Sequence, residues 1–141
     1  MTSSSAPPGD SLGRSFWWLA LAQAAHSIEE MLTGLYDFFW IATGRLREVA
    51  PGFPQMRMTP TTFAVINMSI IALLFGAVPF VRERRAAALG LAWVAAVVEL
   101  LNGTGHLAGT VVFAGYVPGA ITAPFLLLTG ALLLRELRRK P

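Results

Sequence analysis

His26, Glu29 and Glu30 stand together in HSIEE, inside a run of otherwise apolar residues. Residues three and four apart share a helix face, so His26 and Glu30 offer an imidazole and a carboxylate one turn apart. By helical angle Glu30 lies nearer the centre of the stripe that also holds Thr33 and Asp37. Glu29 falls to its side, where it would bridge to a neighbouring helix. A second set follows in ELLNGTGH, where Glu99, Asn102, His106 and Thr110 share one stripe. Gly103 and Gly105 lie among them, where small side chains let a helix or a ligand come close.

Three chemistries fit such a set. The first is a metal site: imidazole and carboxylate suit Zn, Fe or Mn, and helices presenting such ligands inward build carboxylate metal centres. The ligands would be His26, Glu29, Glu30, Glu99 and His106, a lean set for two ions and an ample one for one. A bound cation would also relieve the repulsion between adjacent carboxylates. The second is metal-free acid–base catalysis, in which one buried carboxyl donates a proton while its partner accepts one, as in an isomerase or cyclase of sterol- or terpenoid-like substrates. The third is a small proton- or ion-coupled transporter or a structural membrane protein. Ser27 is adjacent to His26, but neighbouring helical positions do not face each other, so a serine nucleophile is disfavoured.

The elements that must position these residues are membrane helices. The chain has 141 residues, 55% hydrophobic and only 13% charged, which points to an all-α integral membrane protein. The basic residues cluster between apolar runs, so a basic pI carries no nucleic-acid signal. The absence of cysteine excludes disulfides, thiolate metal sites and a cysteine nucleophile. A Ser/Pro/Gly-rich tail over residues 1–14 is expected to be disordered, followed by one domain over 15–141. The following run is too long and too polar at HSIEE to be a cleaved signal peptide. Four transmembrane helices are expected, at about 15–42, 61–81, 86–114 and 118–137, with 43–60 a loop. Arg14, the trio Arg82, Arg84 and Arg85, and the C-terminal cluster fall on one side, against Arg45, Arg47 and Arg57 on the other. Both termini are therefore expected in the cytoplasm.

In that topology His26 to Glu30 lie roughly 16–23 Å from the inner edge and Glu99 to His106 roughly 20–30 Å, at ~1.5 Å per residue. Asn67 and Thr122 reach the same layer, where Asn, Ser69 and Thr can also act as plain interhelical glue. Charges at this depth are costly, roughly 2.5–3.5 kcal/mol each on insertion scales, which favours function over a structural network. Asp37 lies nearer the outer interface. Trp17, Trp18 and Trp40 suit an interfacial belt, and Trp93 is expected to wall a cavity.

HSIEE, NGTGH and YVPG resemble, in order, the three signature motifs of the HXXEE family, small and predominantly bacterial multi-span membrane proteins. The resemblance singles out His26, Glu29, Glu30, Asn102, His106 and Tyr116, and implies a bacterial inner membrane. Glu99 rests on the helical-face reading. The expectation is a four-helix transmembrane bundle with a polar intramembrane site acting on a lipophilic small molecule. Its partners would be membrane lipids and, for the transporter reading, a second copy of the chain.

Overall fold

A computed structural model of the chain describes residues 8–139, which form five helices: α1 (Pro8–Thr33), α2 (Leu35–Val49), α3 (Pro60–Arg82), α4 (Ala86–Val112) and α5 (Ala123–Arg138). Two of these match the expected spans closely. α3 opens where Thr59 accepts a hydrogen bond from the Thr62 amide at 3.1 Å and Pro60 takes the first turn, whose amides need no helical partner.

The other boundaries are corrections. Residues 8–14 are helical and continue α1, with Leu12 buried in the core; residues 1–7 of the expected tail lie outside the described residues. The first expected span breaks at Gly34, whose φ of +76° ends α1 and lets α2 set off in a new direction. α2 then runs through Val49, into the stretch expected as loop. The last helix starts five residues late, because 117–122 form turns around Gly119.

The four-span expectation also narrows. Among the described residues, α3 and α4 are long and apolar enough to cross a membrane. α5 has 16 residues, about 24 Å at 1.5 Å each, short of a hydrocarbon core of ~30 Å. α1 is long enough, but Gln23, His26, Ser27, Glu29 and Glu30 dilute its apolar character.

α1 packs against α3 and α5, and α4 packs against α5, while α3 and α4 touch sparsely. Close approach of α4 and α5 needs small residues: a Cβ on Gly103 would come within 2.9 Å of the Ala123 carbonyl oxygen. One end of the bundle is an apolar plug that includes Phe16, Leu19, Val81, Ala92, Ala96 and Leu133. The other end holds the polar residues. Gln23, His26, Ser27, Glu30, Asn67 and Glu99 are buried, whereas Val65, Leu73, Leu101, Val111 and Leu128 are exposed. This inverts the usual soluble pattern, in which charged residues lie outside.

Candidate metal centre

The site begins on α1. One turn apart, His26 and Glu30 bring Nε2 and Oε1 within 3.0 Å, and α4 adds His106, whose Nε2 lies 3.1 Å from the same oxygen. His26 is fully buried, and Glu30 and His106 are 5% and 8% exposed. The two rings meet edge to face, centroids 4.7 Å apart. One ligand atom from each of the three residues lies within 4.8 Å of the others.

The hydrogen bonds assign the His26 tautomer. Thr122 Oγ1 donates its single hydrogen to Glu29 Oε2 at 2.6 Å and lies 2.7 Å from His26 Nδ1. With that hydrogen committed to the carboxylate, His26 Nδ1 must be the donor to Thr122 Oγ1. A neutral His26 then carries a lone pair on Nε2, which lies beside the Glu30 carboxylate. Although Nε2 is 3.0 Å from Oε1, it has no aligned hydrogen-bond partner, so its in-plane direction misses that oxygen. Nδ1 of His106 is likewise buried without a hydrogen-bond partner.

Glu29 and Glu30 occupy different surroundings because adjacent helical residues point about 100° apart. Glu29 turns to the connector before α5. It accepts from the Tyr116 hydroxyl (2.6 Å), the Ile121 amide (3.0 Å), and the Thr122 amide (2.8 Å) and hydroxyl. It thus satisfies amides at the start of α5, where negative charge is favoured. Tyr116 is half exposed; its partial burial and the adjacent carboxylate raise its phenol above the ordinary value.

Gly119 seats both imidazoles. Its φ is +94°, and a Cβ there would fall 2.7 Å from His106 Cε1 and 2.8 Å from His26 Cε1. Glycine is needed twice over, for the backbone and for the space.

Glu99 belongs to a separate cluster one to two turns along α4. Asn102 donates to Glu99 Oε2 at 3.5 Å. The Gln23 amide, oriented to satisfy its neighbours, donates to the same oxygen at 2.8 Å and sets its own oxygen 3.1 Å from Ser27 Oγ. Ser27 donates to Asn67 Oδ1 at 2.7 Å, tying α1 to α3. A cavity of about 400 Å³ between α3 and α4 is lined by Glu30, His106, Glu99, Asn102, Gln23 and Asn67 together with apolar side chains.

Of the five expected ligands, the structure brings His26, Glu30 and His106 together. Glu29 turns to α5 and Glu99 to the amides, so both lie outside the triad. Tyr116 reaches the site through Glu29, and Asn102 through Glu99. Asp37 and Ser69 are exposed and outside it. Trp93 is a correction: it is 38% exposed and does not line the cavity. It precedes Glu99 by six residues, which rotates it about 120° from the glutamate's face.

The comparisons with known proteins agree with the motif-level resemblance. The family described as "Protein of unknown function with HXXEE motif" matches residues 17–134, most of the chain. The chain belongs to the HXXEE family. No curated protein and no solved structure matches it. In this member of the HXXEE family, the histidine and second glutamate of the motif meet His106, while the first glutamate holds the connector before α5. Sequence reasoning placed Thr122 in the layer of the site without giving it a part there, and left Gly119 out. Their signal was positional: YVPG and the threonine three residues beyond it end a tight connector between helices.

Proposed function

We propose that this protein is an integral membrane metalloenzyme of the bacterial inner membrane, with both termini cytoplasmic, acting on a lipophilic substrate at a His26–Glu30–His106 metal site. The observation that carries this reading is the convergence of acceptors: a His26 Nε2 lone pair beside the Glu30 carboxylate, unpaired although fully buried. Acceptors held this close in an apolar interior repel unless a cation lies between them. Ligands at about 2.0–2.2 Å from one ion stand about 2.8–3.1 Å apart at right angles and about 3.3–3.6 Å apart at tetrahedral ones, and the two separations from Glu30 Oε1, 3.0 and 3.1 Å, fall at the octahedral end of that range.

Two imidazoles and one carboxylate suit Zn, Fe or Mn and leave coordination positions open, which supplies Lewis-acid or redox chemistry when the ion is bound. The chain's own residues do the rest. Thr122 and Glu29 fix the ring of His26 in the tautomer that frees Nε2, an outer-shell role common around metal-bound histidine. Gly119 keeps both rings in place. Glu99, facing the same cavity with its two amide partners, is placed to exchange a proton with a substrate held beside the triad. The membrane assignment is supported by the two apolar helices, the exposed apolar faces and the interior position of the ionisable groups.

Metal analysis of detergent-purified protein tests the reading. The expectation is about one equivalent of Zn, Fe or Mn per chain, lost in Glu30→Gln and His106→Ala variants whose circular dichroism is unchanged. Protein that purifies metal-free and takes up none of the three ions on titration would sink it. That result would favour the acid–base reading, in which paired buried carboxyls hold and exchange a proton.

A further inference from the structure

The cavity between α3 and α4 has a shape and polarity that narrow the substrate class of the proposed site. Its lining runs along α4 from Leu91 to His106, about 22 Å at 1.5 Å per residue. Spread over that length, 400 Å³ gives a mean cross-section of about 18 Å², a little over 4 Å on a side and comparable with the ~3.5–4.0 Å contact distance of packed carbons. The cavity is therefore one chain wide. At roughly 30 Å³ per water-sized group, it holds on the order of 13 such groups, too few for a whole two-chain lipid.

Polarity is segregated along the length. Leu73, Leu74, Leu91, Val94 and Ala95 wall the end nearer the α3–α4 turn. Asn67, Glu99, Asn102, Glu30 and His106 lie toward the other, where Leu35, Phe39 and Phe63 also line the space. Because α3 and α4 touch sparsely, the space lies along the seam between two helices whose outer faces are apolar. The lining includes two carboxylates and no lysine or arginine. A carboxylate or phosphate head among Glu99 and Asn102 would meet the Glu99 carboxylate, and the cation proposed at the triad is already shared with Glu30. A hydroxyl can donate to Glu99 and accept from Asn102.

We infer that this cavity binds an uncharged single-chain amphiphile with a hydroxyl head, which enters sideways from the bilayer between α3 and α4. The head lies among Glu99 and Asn102 beside the triad, and the tail runs toward Leu91. This substrate class rests on the membrane metal site proposed above, and the test reads the two separately.

The experiment uses the full chain in lipid nanodiscs and dodecanol carrying a mid-chain diazirine, with the matching dodecanoic acid in parallel. Photolabelling by the alcohol is expected on peptides of α3 and α4, competed by unlabelled dodecanol. The acid should label at least about tenfold less, the consequence of setting its charge beside Glu99. Val94→Trp, at an exposed rim position, should abolish labelling by filling the apolar end. Val111→Trp, at an exposed position outside the lining, should leave it unchanged. Equal labelling by the acid, undiminished labelling of Val94→Trp, or label spread over all the exposed apolar faces would overturn the assignment. Metal content is measured on the same samples. Metal-loaded protein that the alcohol does not label refutes the substrate class and leaves the metal site standing. Metal-free protein that still labels specifically refutes the metal site and leaves the substrate class standing.

Discussion

Replacing Thr122 by valine removes one hydroxyl and keeps the branched shape. That hydroxyl joins Glu29 Oε2 at 2.6 Å to His26 Nδ1 at 2.7 Å, so the variant strips His26 of its hydrogen-bond partner inside a fully buried pocket. An unsatisfied buried donor costs about 1–3 kcal/mol. Outer-shell changes around a metal-bound histidine lower affinity about 10–100-fold, or about 1.4–2.8 kcal/mol. The two routes to the number agree. Glu29 keeps three other donors, from Tyr116, Ile121 and the Thr122 amide, so the connector stays docked and the loss falls on His26. Zinc affinity would be measured by competition with a chromophoric chelator in detergent micelles, with circular dichroism as the folding control. The expected order is wild type, then Thr122→Ser close behind, then Thr122→Val weaker by about 10–100-fold. A valine variant that binds zinc as tightly as wild type would refute the tautomer assignment. A serine variant no better than valine would refute the assignment of the loss to the hydroxyl alone.

Further outcomes follow from the same geometry. Gly119→Ala should lose metal and lower the melting temperature, since left-handed backbone strain of about 1–2 kcal/mol adds to a clash with both imidazoles. Thermal melts and metal analysis of one preparation check both. Ser27→Ala breaks the buried link to Asn67 and should destabilise the fold by about 1–3 kcal/mol while metal content is retained, as read by melts in micelles. Tyr116→Phe removes one of four donors to Glu29, from a half-exposed ring, and should weaken zinc binding less than Thr122→Val does, in the same chelator assay.

Much of the site was legible in the sequence because it rests on helical spacing. The i, i+4 relation of His26 and Glu30 and the polar stripe ending at His106 each sit within one helix, where the 3.6-residue period fixes the face. The same period divides Glu29 from Glu30. What the sequence hid was the approach of other segments. Nothing local says that Thr122, 96 residues after His26, comes to lie against it, or that Gly119 fits between two rings. The departure of α2 at Gly34 was hidden for a similar reason: a glycine inside an apolar pattern reads equally as tolerated or as a break. The reach of α1 back to Pro8 depends on Leu12 finding the apolar plug, a tertiary fact that a Ser/Pro/Gly-rich composition obscures. The expectation for Trp93 weighed depth and neglected angle.

The docking of residues 116–122 onto α1 also sets an order of events during biosynthesis. By the time His106 has been made, every member of the triad exists, yet the hydroxyl that orients His26 and the glycine that seats both rings have still to be translated. A nascent chain paused within α4 therefore carries the ligands without their settings. On the proposed metal reading, loading of the site is an event of the finished protein, and the connector before α5, which contributes no ligand, is the part that closes it.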